Sequence, residues 1–346
     1  MSDHTHIQWT DATWNPITGC SVVSAGCRHC YAERQMDQRL GRVRWGAGQP
    51  RKRTSAAYWR RPERWNAEPF FECSGCGWRG TAADYKRYIR PPALACCPDH
   101  NLTPARRRVF CASLADVFDT EVPVGWLMGL LDLIRRTPNL DWLLLTKRIR
   151  NVIPRLGAVA GLAGSLSEKG DKAASETWGM AFDWARFIPP ENVWLGASVV
   201  TQAEADRDIP KLLATPAATR FIGVEPMLGP VDLSGPLAAN ALREIDGGPA
   251  IDWVIAGGES GPRARPCEVD WIRSIVKQCR AAAVPCFVKQ LGAAPVEEGC
   301  EPGHVWVGRA PQSLRRIADR AGSDPAEWPA DLRVREFPGD APGGGR

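Results

Sequence analysis

"NVWLGASVVTQAEADRDIPKLLATPAATRFIGVEP", residues 192–226, is the stretch on which the fold turns. It opens on a continuous apolar run at 192–199, passes into an amphipathic helical pattern over 202–214, and returns to a second apolar run at 220–226. Apolar runs without alternation are what strands covered on both faces require. A buried strand, a helix and a second buried strand make one βαβ unit. The rhythm recurs outward from there: strands are predicted near 13–19, 108–113, 141–147, 252–258 and 285–290, and helices over 31–40, 122–137, 148–156 and 269–283. The expected fold class is α/β with a parallel sheet, as a full or partial (β/α) barrel or an open sheet. In each version the working site lies at the carboxyl ends of the strands. The polar residues at those ends are Ser113, Asp116, Thr146, Lys147, Ser198, Glu225, Glu259, Lys289 and Gln290. Such residues also cap helices and satisfy loop backbone, so position alone does not assign them.

A chain of 346 residues can bury a large core as one α/β unit or as two domains. Its 44% hydrophobic and 24% charged residues suit a soluble globular protein. No apolar run approaches the ~18 residues that a membrane span needs. The opening "MSDHTHIQWTDATWNP" carries neither the basic nor the apolar region of a secretory signal, so a reducing cytoplasm is expected. In that compartment the twelve cysteines read as metal ligands or reactive groups rather than disulfides. Cys111, Cys267, Cys279, Cys286 and Cys300 stand alone and read as small apolar fillers. The net charge of +5 permits an anionic partner without requiring one.

The expected organisation has four parts. Residues 1–66 begin the barrel, 67–105 form an inserted zinc-ribbon-like module, 106–336 complete the barrel, and 337–346 form a Gly/Pro-rich disordered tail. Within the third part, 158–185 is rich in Ala, Gly and Ser and reads as a variable loop or helical insertion.

"GCSVVSAGCRHCYAE" (19–33) places Cys20, Cys27 and Cys30 in a C-x6-C-x2-C loop between a strand and a helix. Closed zinc sites and iron-sulfur clusters generally take four protein ligands. Three thiolates leave a metal position open, as a substrate or cofactor that coordinates the metal would need. A zinc ion completed by His29 or a distant residue, and reduced thiols without metal, are the alternatives. The strand, the three-cysteine loop with His29 before its last cysteine, and the helix resemble the opening of the radical S-adenosylmethionine superfamily. That resemblance implies a 4Fe-4S cluster on Cys20, Cys27 and Cys30 whose fourth iron binds S-adenosylmethionine. It further implies reductive cleavage to a 5'-deoxyadenosyl radical, hence an electron donor. The superfamily's usual first gap is three residues, and here it is six. A longer loop closes at small entropic cost.

A wider resemblance runs through "WTDATWNPITGC", "RVFCASLADVFD", "WLLLTKR", "NVWLGASV", "RFIGVEPMLGP", "DWVIAGGESGPRARP" and "FVKQLG". These phrases are similar to an uncharacterised family of phages, prophages and bacteria whose members are regarded as radical-SAM-like three-cysteine proteins. Lys147, Glu225, Glu259 and Lys289 are then the strand-end groups expected to bind cofactor or substrate, with Asp116 and Gln290 next.

The second cluster pairs Cys73 and Cys76 with Cys97 and His100, giving C-x2-C, twenty residues, then C-x2-H. Four ligands at that spacing suit a closed structural zinc site, with Cys96 as the alternative to Cys97. Zinc would also supply folding energy that so small a module cannot draw from its core. Residues 41–65 hold eight Lys/Arg against one Glu, interleaved with Trp45, Tyr58, Trp59 and Trp65. Cations for phosphates beside rings for bases make a nucleic-acid surface, although Arg and Trp also stack on one another in ordinary interfaces. The function expected is therefore that of a radical-SAM-like iron-sulfur enzyme acting on a nucleic acid or nucleotide-derived substrate. Its rival is a non-catalytic, metal-bearing nucleic-acid-binding protein of a phage or mobile element. A zinc-dependent hydrolase ranks below both, since no HxxEH-type or paired-carboxylate motif occurs.

Overall fold

The computed structural model describes residues 5–88, 101–238, 240, 248–308 and 314–339. Cys96, Cys97, His100 and most of the Gly/Pro-rich tail lie outside them. Seven parallel strands form one sheet: β1 (Ala12–Trp14), β2 (Arg107–Cys111), β3 (Leu140–Thr146), β4 (Val193–Ser198), β5 (Thr219–Val224), β6 (Trp253–Gly257) and β7 (Cys286–Gln290). They pair in chain order from β1 at one edge to β7 at the other. The architecture is thus a curled α/β half-barrel, with each strand near where the apolar runs predict it.

Side-chain alternation divides the sheet's two faces. Val109, Leu144, Leu195, Ile222, Val254 and Val288 face outward into the larger core beneath the helices. Phe110, Leu143, Trp194, Phe221, Trp253 and Phe287 face inward and form a second cluster around Trp9. Trp9 precedes β1, yet its ring lies 4.6 Å from Phe110, 6.4 Å from Phe221 and 6.2 Å from Trp253. One ring can touch β2, β5 and β6 together only because the sheet curls around it. Large rings, tilted or edge-on, fill the lower interior and leave open space at the strands' carboxyl ends.

Helices α1 (Val124–Arg136), α2 (Val152–Ser167), α3 (Lys172–Ala185), α4 (Gln202–Ala214) and α5 (Val269–Ala281) cover the outer face. In α4 the buried residues Ala205, Asp208, Ile209 and Leu212 recur at helical spacing. Thr201 caps α4 by accepting from the amide of Glu204, whose carboxylate in turn accepts from the amide of Val200 at 3.0 Å. Thr201→Ala is expected to cost about 1 kcal/mol in chemical unfolding, the usual loss for an N-cap hydroxyl. The Ala- and Gly-rich stretch at 158–185 belongs to α2 and α3 and the turn between them. No helix among the described residues is long and apolar enough to cross a membrane.

The segment between β1 and β2 departs from the alternation. Phe70–Cys73, Arg79–Thr81 and Leu102–Pro104 make a small antiparallel sheet, with Phe70–Cys73 in the middle. Arg79 grips Asp11, which precedes β1, at 3.1 and 3.2 Å, and Arg107 at the start of β2 approaches Glu68 at 3.6 Å. This small sheet therefore sits at the amino end of the half-barrel, away from the strand tips.

Candidate functional site

The chain leaving β1 turns at Gly19, whose backbone is left-handed (φ 102°), and enters the cysteine loop. Cys20, Cys27 and Cys30 all border one cavity of about 810 Å³ at the carboxyl ends of the strands. Lys147, Ser198 and Lys289 line it with them, and Phe110 and Leu145 form part of its floor. Lys147 Nζ donates to Ser198 Oγ, and Lys289 Nζ donates to Glu225 Oε1 at 3.1 Å. The other carboxylate oxygen of Glu225 is buried without a hydrogen-bond partner. Of the four strand-end groups singled out from sequence, Lys147 and Lys289 thus line the cavity from the tips of β3 and β7, and Glu225, after β5, pairs with Lys289.

Glu259 does other work. Its two oxygens accept from the guanidinium of Arg265 at 2.7 and 2.9 Å and from that residue's amide at 2.8 Å, with His29 Nδ1 at 3.4 Å. Burial works against its charge, but the Arg265 bonds prevail and hold the carboxylate below its usual range. Arg265 continues to the carbonyl oxygens of Ala25 at 2.9 Å and Arg28 at 3.4 Å, inside the cysteine loop. Glu259 therefore fixes the loop's far side rather than facing the cavity.

The near side is fixed by Asp116. Its carboxylate accepts from Thr146 Oγ1 at 2.8 and 2.9 Å, from the amides of Lys147 and Phe118, and from Arg148 at 3.2 Å. Arg148 passes the restraint on, donating to Ser21 at 2.9 and 3.0 Å and approaching Cys20 Sγ at 3.4 Å. Behind it Arg51 donates to Asp119 at 2.7 and 3.0 Å and to the carbonyl oxygens of Gly46 and Gln49. Of the remaining strand-end residues, Ser113 contacts Asn15 Oδ1 at 3.2 Å and Gln290 donates to the carbonyl of Gly258 at 2.8 Å. Arg148 and Arg265 drew no role from the sequence, although "TKR" and "GPRARP" contain them; their partners lie too far along the chain for spacing to reveal.

Burial pushes the Cys20 thiol up to about 11, against the pull of Arg148, and raises Cys30 as well. Cys27 lies close enough to Cys30 to bear on its charge. Three soft sulfur donors on one cavity wall suit iron or zinc by type. Among the described residues, no group of three or more His, Cys, Asp or Glu stands close enough together to grip a metal ion. The sulfurs share a cavity without being gathered into one coordination sphere.

At the other end of the barrel, Cys73 is buried at the end of its strand and Cys76 follows in the turn. The amide of Gly77 donates to the carbonyl of Cys73, and the amide of Cys73 to that of Trp78. Their expected partners, Cys97 and His100, are outside the described residues. Cys111, Cys267, Cys279 and Cys286 are buried in the outer core, as apolar fillers are, and Cys300 is half-buried. In the basic stretch, Trp59 and Trp65 are buried, Arg53 lies 4.0 Å over Trp59, and Arg61 lies 5.5 Å from Trp65. Those two rings serve the core; Trp45, half-buried on the cavity wall, remains within reach of a ligand.

A family profile described as "Protein of unknown function (DUF5131)" matches residues 4–324. The chain belongs to the DUF5131 family. The match spans the cysteine loop, all seven strands and the small antiparallel sheet. No curated protein and no solved structure matches the chain.

Proposed function

We propose that this chain is a radical-SAM-like iron-sulfur enzyme of the kind its phage-associated resemblance implies, acting in a reducing cytoplasm on a nucleic acid or nucleotide-derived substrate. Cys20, Cys27 and Cys30 would hold a 4Fe-4S cluster whose open iron takes S-adenosylmethionine. Bound there, the cluster would pass an electron from an external donor to S-adenosylmethionine. Lys147 and Lys289 would offer cations to a carboxylate or phosphate, with Glu225 holding the Lys289 ammonium in place. Glu259 and Asp116, through Arg265 and Arg148, would hold the loop in place. Cys73 and Cys76, with Cys97 and His100, would bind a structural zinc.

The observation that carries this reading is that three thiols from one loop border a single large cavity at the carboxyl ends of a parallel half-barrel. The test is anaerobic reconstitution with iron and sulfide, then metal analysis and an assay for dithionite-driven S-adenosylmethionine cleavage. About four irons per chain are expected, as in a 4Fe-4S cluster. The Cys20→Ala, Cys27→Ala, Cys30→Ala triple variant should lose nearly all of them, while Cys73→Ala, Cys76→Ala keeps iron and loses zinc. Stoichiometric zinc without iron or 5'-deoxyadenosine would overturn the reading and favour a non-catalytic metal-bearing nucleic-acid binder.

A further inference from the structure

Behind the cysteine loop lies a second cavity, of about 720 Å³. Cys27 and Cys30 border both it and the inner cavity, so the loop is a partition with a ligand-sized space on each side. Arg28, Arg34 and Arg263 line the outer space, facing Glu33 and Glu204. Glu204 is already engaged by the amide of Val200. Arg265, two residues beyond Arg263, is neutralised by Glu259. Arg28, Arg34 and Arg263 form no ion pair among the described residues. The Arg34 guanidinium packs against Gly261, where a Cβ would stand 3.1 and 3.2 Å from its nitrogens. Val22 and Val23, 63% and 43% exposed, provide an apolar ledge on the same wall.

Unpaired guanidinium groups converging on a concave surface concentrate positive potential, and their planar donors match phosphate oxygens. An apolar ledge beside them suits the flat face of a base. We propose that the outer cavity binds a nucleotide unit, free or within a single strand, with Arg28, Arg34 and Arg263 on its phosphate and Val22 and Val23 beneath its base. The site is separate from the inner cavity and extends the nucleic-acid part of the reading above to a second surface. Its test requires no metal.

The experiment is fluorescence anisotropy of a short labelled single-stranded oligonucleotide with the full chain as purified, competed by a nucleoside monophosphate and by inorganic phosphate. Arg28→Glu, Arg263→Glu should weaken binding about tenfold or more, and the neutral pair Arg28→Gln, Arg263→Gln should lower the salt slope by about 1.4, at roughly 0.7 per lost phosphate contact. Both residues are exposed, and thermal unfolding checks that each variant is folded. A strand that outbinds the monophosphate identifies a strand site, whereas equal binding identifies a free-nucleotide site. Undiminished binding by either folded variant, no binding at all, or equal competition by inorganic phosphate and nucleotide overturns the proposal. Iron loading of the single variant Arg263→Glu, which leaves the Cys27–Cys30 segment unaltered, should match the parent chain, so failure here is distinguishable from failure of the cluster.

Discussion

Asp116→Ala is expected to destabilise the protein by about 3–5 kcal/mol in equilibrium unfolding, the usual loss when one partner of a buried charge pair is removed. Asp116 and Arg148 are each 8% exposed at the side chain, so removing the carboxylate leaves Asp119, at 3.6 Å, as the one carboxylate still paired with the guanidinium among the described residues. The amides of Phe118 and Lys147 and the hydroxyl of Thr146 also lose their acceptor. Asp116→Asn retains the shape and part of the hydrogen bonding, so it should cost less than alanine while still loosening Arg148. Because Arg148 holds Ser21 beside Cys20, limited proteolysis of the alanine variant should show earlier cleavage in the cysteine loop. A melting temperature within a degree or so of the parent would show that the carboxylate carries no such load.

Gly258→Ala should cost about 3 kcal/mol by overpacking, and its cause is space rather than backbone conformation. A Cβ at 258 would lie 2.2 Å from the carbonyl oxygen of Leu291 and 2.9 Å from its carbon. The obstacle is backbone, which cannot turn aside as a long side chain can. Two more glycines tighten the same junction: a Cβ at Gly292 would stand 3.0 Å from Gly258, and one at Gly322 would stand 2.2 Å from the carbonyl oxygen of Gly292. Three chain segments therefore touch at backbone distance directly beneath Glu259. Displacing them moves that carboxylate off Arg265, so the variant should also bind iron more weakly after reconstitution. Gly229→Ala, where a Cβ meets nothing within 4 Å, is the matched control and should leave both properties unchanged.

The half-barrel was legible because parallel strands buried on both faces carry unbroken apolar runs, and "WLLLTK" or "DWVIAGG" can hardly be read otherwise. Where the signal was mixed, the reading blurred. The predicted strand at 13–19 is two pieces: Ala12–Trp14 joins the main sheet, and Ile17–Thr18 pairs instead with Lys52–Arg53. The predicted helix at 31–40 is helical, but from Arg34 its backbone widens to the i→i+5 pattern. Arg and Trp alternate identically in a base-stacking surface and in a core edge where guanidinium groups cover rings, so burial of Trp59 and Trp65 had to be seen. Arg148 and Arg265 escaped for a different reason. Each meets the cysteine loop 128 and 240 residues away in sequence, respectively, and periodicity carries no information over such distances.

The separation between Arg265 and Ala25 also bears on the order in which the protein can be completed. The cysteines are among the first residues made, yet one anchor of their loop follows β6 and the other follows β3. During synthesis the loop must therefore wait, held at most on its near side by Arg148, until more than two thirds of the chain has emerged and Arg265 can close the far side. Long-range closures of this kind come late in folding. The thiols would thus become a competent binding site only in a nearly finished barrel, so metal delivered to a ribosome-bound fragment would meet three cysteines and no site.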